Sequence, residues 1–402
     1  MKRIITFLGK NVRETTYAFQ GRDVVGHVFP EALRQVVEFD EMLVCATPDA
    51  AQAAWPRLAA LQDPRIRMIE IETGEESAEM WRTFGAIVGS VARGDTVIFD
   101  ITHGLRSLPF FVFLVAAYLK EARGVQIDAV HYGALELTKD GRAPVLDLSP
   151  FTQLLDWMTA LDRLRNTGDG APLADLVHRA LPAPAQLATD ASLRTAANAM
   201  KKLEQSIRTI STHLLVTRHA ELMKAAAELR ARVDACRCIP IEGMRPFQVI
   251  CDDLLAEYEP FALIESAEKK TARRSLEIQQ RLVSWYIDRR YIVQAATLFR
   301  ELIVSLVLDA EGYSLRSRDE AENALNNLKR QKRGEPGSRP TRIDLSGRLF
   351  SDTLNKMWDD LTDMRNDVAH PDGEEEAPIE RILQRLRMRR DQLPELVTAL
   401  RG

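Results

Sequence analysis

Over residues 1–150, short apolar runs rich in β-branched side chains alternate with longer helical stretches, and beyond residue 150 the runs cease. Such alternation is the pattern of a parallel sheet whose crossovers are helices. Strands are expected at 3–8, 42–46, 67–71, 96–101 and 126–132, with helices near 31–39, 50–61, 76–92 and 107–122. A polar hairpin over 136–148, turning at Asp140-Gly141, closes this part. From Phe151 onward the chain is rich in Ala, Leu, Glu, Arg and Lys, with breaks at 166–172, 182–184 and 240–246, as packed helices joined by loops require. The division expected is a sheet domain at 1–150, a helical linker region at 151–250 and an all-α domain at 251–402. In the last, 275–308 reads as a central helical hairpin, 329–342 as a basic loop with Gly and Pro, and 349–370 as one more helix that Pro371-Asp372-Gly373 stops.

The bulk numbers narrow the function. At 402 residues the chain can bury two or three cores. A net charge of -4 and a pI near 6.1 exclude a bulk polyanion binder, so any nucleic-acid contact must come from local basic patches. Cys45, Cys236, Cys238 and Cys251 form no paired C-x-x-C metal pattern; Cys45 reads as a small core residue and Cys236-x-Cys238 as reduced thiols. Met1-Lys2-Arg3 leads directly into strand residues, and no apolar run approaches the roughly 20 residues of a membrane span. A cytoplasmic protein without membrane contact is expected.

The polar groups of the central stretch 96–113 gather in one turn. A buried strand, Thr96-Val97-Ile98-Phe99, is joined to an apolar helix by a connection carrying Asp100, Thr102, His103, Gly104, Arg106 and Ser107. In doubly wound sheets ligands bind at such carboxyl ends, where helix N-termini offer N–H groups to anions. After strand one, Gly9-Lys10-Asn11-Val12-Arg13 lacks the G-x-G-x-x-G fingerprint, which argues against a nicotinamide or flavin enzyme. Backbone N–H groups with Lys10, Asn11 and Arg13 make a phosphate or adenine contact set, or else a solvated loop.

Asp100-Ile101-Thr102-His103-Gly104 resembles the D-x-T-H-G motif of CRISPR-associated proteins whose N-terminal half is a CRISPR-associated Rossmann fold (CARF) sensor. Phe7-Leu8-Gly9 and Thr73-Gly74-Glu75-Glu76 fit the same family. The resemblance implies an α/β, Rossmann-like CARF parallel-sheet domain followed by an all-α HEPN ribonuclease domain. It implies as ligand a cyclic oligoadenylate, cyclic tetraadenylate by family frequency, acting as allosteric activator, with no other cofactor. Gly9, Lys10 and Asn11 would line one side and Thr102, His103, Gly104, Leu105, Arg106 and Ser107 the other, with Thr73, Gly74 and Tyr132 nearby; Arg106 is the natural phosphate partner. His103 either donates to the ligand or is a structural histidine tied to Asp100. The ligand role is favoured for His103 and the structural role for Asp100.

Near the other end, Arg365 and His370 fit the R-x4-H pattern of HEPN ribonucleases. Spacing alone is weak, since Arg22 with His27 and Arg208 with His213 also satisfy it. Only Arg365 is followed by an asparagine, Asn366, as in the family's R-N variant, and only His370 ends a C-terminal helix. Asn366 and His370, four apart, share a helical face; Pro371 places the imidazole at a helix end, where the dipole favours its protonated form. A neutral-range imidazole can take a proton from a 2′-hydroxyl or give one to a 5′-leaving oxygen, while Arg365 offsets phosphate charge. Helix capping by the histidine and a surface arginine is the alternative. Segment 291–301 resembles an earlier HEPN helix and could add Arg300 or Glu301. The family builds its cleft across a twofold axis, so the resemblance implies a homodimer, single-stranded RNA as substrate and no metal. Arg273-Arg274, Arg289-Arg290 and 329–333 are RNA tracks or solvated faces, and 381–390 reads as a helix balancing its own charges. Rivals are a catalytically silent sensor, a sheet domain that hydrolyses its ring through Asp100 and His103, and an RNase needing no nucleotide signal.

Overall fold

The structure, a computed structural model, describes the chain except residues 105–106, 264–267, 338, 347, 349, 370–378 and 402, and without the side chains of 268–271, 315, 368–369 and 401. It divides into two compact units, Met1–Asp156 and Trp157–Gly402.

The first unit is built on an eight-stranded sheet. Its strands are β1 (Lys2–Phe7), β2 (Thr15–Phe19), β3 (Arg22–Gly26), β4 (Glu41–Ala46), β5 (Ile66–Glu70), β6 (Thr96–Asp100), β7 (Gln126–Gly133) and β8 (Arg142–Asp147), in spatial order β3-β2-β8-β7-β6-β1-β4-β5. The run β7-β6-β1-β4-β5 is parallel throughout, which is the expected Rossmann-like sheet. β8 runs antiparallel to β7, β2 parallel to β8 and β3 antiparallel to β2, so the whole sheet is mixed. The Asp140-Gly141 turn is present, both residues at positive φ. The β2–β3 hairpin is not among the strands read from sequence: its runs are five residues each and its turn is Gln20-Gly21, a weaker signal than Asn-Gly or Asp-Gly.

Alternation along the strands sorts the core into two layers. Ile4, Val44 and Ile98 point to the face covered by α1 (Phe29–Val36) and α2 (Pro48–Ala59), meeting Phe29, Leu33, Ala54 and Leu58. Ile5, Phe7, Leu43 and Phe99 point to the other face, where α3 (Ser77–Gly89) and α4 (Leu108–Arg123) bring Ile87, Val88, Phe111 and Val115. The chain goes from β1 to β4 on one side and returns to β6 on the other, so the strand order reverses between β1 and β6. That reversal opens a crevice at their carboxyl ends.

The unit boundary falls within α5 (Ser149–Thr167). Beyond it the described elements are helical: α6 (Ala171–Arg179), α7 (Pro184–Thr189), α8 (Ala191–Leu215), α9 (His219–Cys236), α10 (Arg245–Tyr258), α11 (Glu268–Asp288), α12 (Ile292–Ala310), α13 (Arg318–Lys332), α14 (Ser351–Ala369) and α15 (Ile379–Arg401), with short 3-10 turns between some of them. The expected hairpin over 275–308 is α11 and α12. One hydrophobic core extends from Trp157 to Leu400, so the 151–250 and 251–402 segments both contribute to it. α12 is its axis: apolar on nearly every face, it packs against α11, α13, α14 and α15. Phe299, fully buried on α12, is expected to cost about 3–5 kcal/mol when replaced by alanine; urea unfolding followed by circular dichroism checks this.

Candidate functional site

β1 and β6 pair in register up to Ile5 and Phe99. One residue further on, Thr6 Oγ1 donates to Asp100 Oδ2 at 2.5 Å, both side chains fully buried. The other carboxylate oxygen accepts the Thr102 N–H at 2.7 Å, which bends the chain sharply out of β6. Thr102 Oγ1 in turn accepts the Gly133 N–H at 2.7 Å from the end of β7. A Cβ on Gly133 would lie 3.0 Å from Thr102 Cγ2 and 3.1 Å from the Tyr17 ring, so any larger residue would push these neighbours back by a few tenths of an ångström. Asp100 therefore ties three neighbouring strand ends into one turn. Burial raises its pKa to about 6, although the bonds from Thr102 and Thr6 oppose the shift.

His103 follows on the same turn. Its Nε2 accepts the Phe29 N–H at 3.3 Å, the first residue of α1, which requires a neutral ring with the proton on Nδ1. Burial pushes its pKa down to about 4, consistent with that role. The two functions weighed for His103 are thus joined by a third: Asp100 bonds to Thr6 and Thr102, His103 to Phe29, and the Asp100–His103 tie considered from sequence is replaced by these separate partners. Gly9 stacks against this histidine, a Cβ there falling 3.5 Å from His103 Cβ. Gly104 has φ +125, and a Cβ would meet Leu108 Cδ1 at 2.4 Å, so this position demands glycine.

Gly9, Thr102, His103 and Gly104 are thereby brought together at the switch point. The remaining residues of the set have other partners. Lys10 Nζ bonds Asp49 Oδ2 at 2.5 Å on an exposed surface. The N–H groups of Gly74 and Glu75 both donate to Glu79 Oε2, at 2.9 and 3.0 Å. Tyr132 donates its hydroxyl to Glu136, which raises its pKa to about 12. Asn11, Thr73 and Ser107 are exposed. Leu105 and Arg106 lie outside the described residues. Sequence reasoning missed Thr6, Phe29, Gly133 and the carboxylates Asp49, Glu79 and Glu136. Only Thr6 carried a signal, a polar side chain inside the run Ile4-Ile5-Thr6-Phe7.

In the helical unit, α14 buries Leu354, Met357, Trp358, Leu361 and Met364. Arg365 and Asn366 lie next, both exposed, with Arg365 Nη1 3.4 Å from Asn366 Oδ1. His370 lies outside the described residues. Arg300 stacks over the Trp358 ring at 4.4 Å and donates to Glu322 at 3.0 Å; Glu301 accepts from Arg318. Both thus brace α12 against its neighbours. Arg208 is held by Glu204 and Asp175, and the His213 ring by the Thr209 carbonyl, a helix-surface arrangement. The basic tracks are charge-paired: Arg274 with Glu277, Arg289 with Glu257, Arg290 with Glu380, Lys329 and Arg333 with Asp359. In 381–390, Arg385 and Arg389 grip Asp360 of α14, so that helix balances its charge partly across the core rather than within itself. Among the described residues, no group of three or more His, Cys, Asp or Glu is placed to hold a metal ion, and no helix is long and apolar enough to cross a membrane.

No family model matches the chain. A CRISPR-associated protein of Methanocaldococcus jannaschii is 26% identical to it over 144 residues, 35% of this chain, and the chain spans only 23% of that relative's length. Among solved structures, Enterococcus italicus Csm6 bound to cyclic hexa-2′-fluoro-hexa-dAMP aligns over 100% of this chain and 94% of its own, at 10% identity and a TM-score of 0.40, too low to carry the comparison further.

The raised pKa of Asp100 gives a signed prediction. Unfolded, the carboxyl titrates near 3.9; folded, near 6. The folded state therefore holds the proton more tightly, and the group's contribution is full below about pH 4 and lost as pH rises through about 6. The stability difference between wild type and Asp100→Asn should decline over that window and stay flat above it in urea titrations. Asp100→Ala, which strands the Thr6 hydroxyl and the Thr102 N–H, should cost about 2–4 kcal/mol.

Proposed function

We propose that this relative of the CRISPR-associated proteins is a type III CRISPR accessory protein, a CARF sensor of cyclic oligoadenylate whose helical unit is a HEPN-type, metal-independent single-strand endoribonuclease. The observation that carries the sensing half is the Asp100-centred turn at the β1/β6 reversal, where Thr102, His103 and Gly104 face the end of β1 at Gly9. Its hydrogen bonds hold the turn before any ligand arrives, so little ordering cost opposes binding. Lys10, Asn11, Thr73, Gly74, Ser107 and Tyr132, with Leu105 and Arg106 named from sequence, complete the proposed contact set, and cyclic tetraadenylate is the ring proposed. Asp49, Glu79 and Glu136 occupy positions from which ligand phosphates would compete for the same donors.

In the cleavage half, His370 takes the proton from the 2′-hydroxyl as that oxygen attacks phosphorus, and Arg365 and Asn366 hold the phosphate. The P–O5′ bond breaks and the 5′-oxygen takes up the proton that His370 then holds, leaving a 5′-hydroxyl and a 2′,3′-cyclic phosphate, or a 3′-phosphate once water opens the ring. Each chain supplies one such set, so the cleft is composite and the protein a homodimer. Exposed aromatic side chains on α3 and α4 support self-association: Trp81 and Phe110 are 69% and 71% exposed, and Phe84 links Trp81 to Tyr118 through ring contacts. The ring activates only to the extent that it binds the active arrangement more tightly than the inactive one.

A fluorescent single-stranded RNA assay with rings of different size, with and without chelator, tests the whole reading. Cleavage is expected with one ring, chelator present, and Arg365→Ala should lower it about 10²–10³-fold. If Arg365→Ala and His370→Ala both cut as fast as wild type, the cleavage assignment fails; if no ring binds, the sensing assignment fails. Asp49→Asn, which frees Lys10 from an exposed ion pair, should tighten ring binding by about 2–5-fold in calorimetry.

A further inference from the structure

The helix that carries Arg365 and Asn366 is electrostatically hostile to an anion. α14 has five aspartates, Asp352, Asp359, Asp360, Asp363 and Asp367, against Lys356 and Arg365 as its cations. Arg365 and Asn366 also stand near its C-terminal end, where unpaired carbonyls give a helix its negative pole. Asp352, Asp359 and Asp363 fall at intervals of seven and four residues, and Asn366 follows three further on, so all four side chains share one face. A phosphate at Asn366 would meet that acidic stripe end on.

Counter-charges come from the neighbouring helices. Arg385 and Arg389 of α15 take Asp360, at 2.6 and 2.5 Å. The stripe itself is covered from the end of α13. Lys332 Nζ lies 2.5 Å from Asp352, Arg333 donates to both oxygens of Asp359 at 3.1 Å, and Lys329 bonds Asp359 and lies 3.8 Å from Asp363. Lys329 thus serves the two stripe carboxylates nearest Asn366, and Asp363, one turn away, has no other ion pair among the described residues. The Lys329 side chain is 18% exposed against 53% for Asp363, so its charge faces the carboxylates, and an RNA strand would have to displace them to touch it. We infer that Lys329 is a positioning residue for RNA: by holding Asp359 and Asp363 it removes the repulsion that a phosphate at Arg365 and Asn366 would otherwise meet. This differs from a direct RNA track over 329–333. The inference rests on the cleavage reading, because that reading puts the phosphate at Asn366.

Fluorescence anisotropy of the full chain with a labelled single-stranded RNA, 2′-O-methylated at every ribose and so resistant to cleavage, tests it. Lys329→Gln should weaken binding about 3–10-fold, the effect of one uncovered charge about 7–10 Å from a phosphate in a largely aqueous medium, while Lys329→Arg should stay within about twofold of wild type. On cleavable RNA the same loss should appear in KM, with kcat changed less than about threefold. The discriminating comparison is a double-mutant cycle with Asp363→Asn. That change should matter little in wild type, where Lys329 covers the carboxylate, and should restore binding in Lys329→Gln. Lys329→Met takes the place of the glutamine variant if its melting temperature shows that it misfolds. Unchanged binding in Lys329→Gln overturns the inference and leaves the cleavage reading standing. So does a gain from Asp363→Asn that is equal in both backgrounds, which would assign Lys329 a direct contact with RNA. Wild type that binds no oligonucleotide removes the cleavage reading and this inference together.

Discussion

The carboxylate of Asp100 holds together the part of the first unit on which its chemistry depends. A buried charge is unfavourable unless it is fully hydrogen-bonded, and here the bonds come from Thr6 on β1 and from the backbone of Thr102. Thr102 passes the constraint to β7 through the Gly133 N–H. Three strand ends are thus fixed relative to one another by two hydroxyls, two amides and one carboxylate. The turn that follows is held by this network, while His103, in its neutral form, accepts the first N–H of α1.

The helical unit is organised on a different principle. A single apolar helix, α12, is surrounded by others, and arginines reaching over its edges are fixed by carboxylates from the next helix. Much of the unit's arginine is therefore committed: Arg300 to Trp358 and Glu322, Arg385 and Arg389 to Asp360. Arg365 differs from these. It is exposed, one residue past the last buried position of α14, and its recorded contact is with the neighbouring Asn366. Among the described residues it has no ion pair, and an arginine so placed has donors that a phosphate can use.

How much was legible follows from which forces are local. The parallel strands, the helical second half, the Asp140-Gly141 turn and the α11–α12 hairpin are set by periodicity and turn chemistry, and the sequence alone determined them. So was the importance of the turn after β6, because its polar residues interrupt two apolar runs. The β2–β3 hairpin was not legible, since its polar-rich runs join through Gln20-Gly21, a turn with a weaker hairpin signal than Asn-Gly or Asp-Gly. Partner choice was also invisible: that Asp100 would take Thr6 rather than His103, that His103 would meet Phe29, and that Lys10 would face Asp49 depend on residues 39–94 positions apart in the chain. Tertiary structure alone decided these, because a hydrogen bond acts over about 3 Å and only the completed sheet brings such groups within that range.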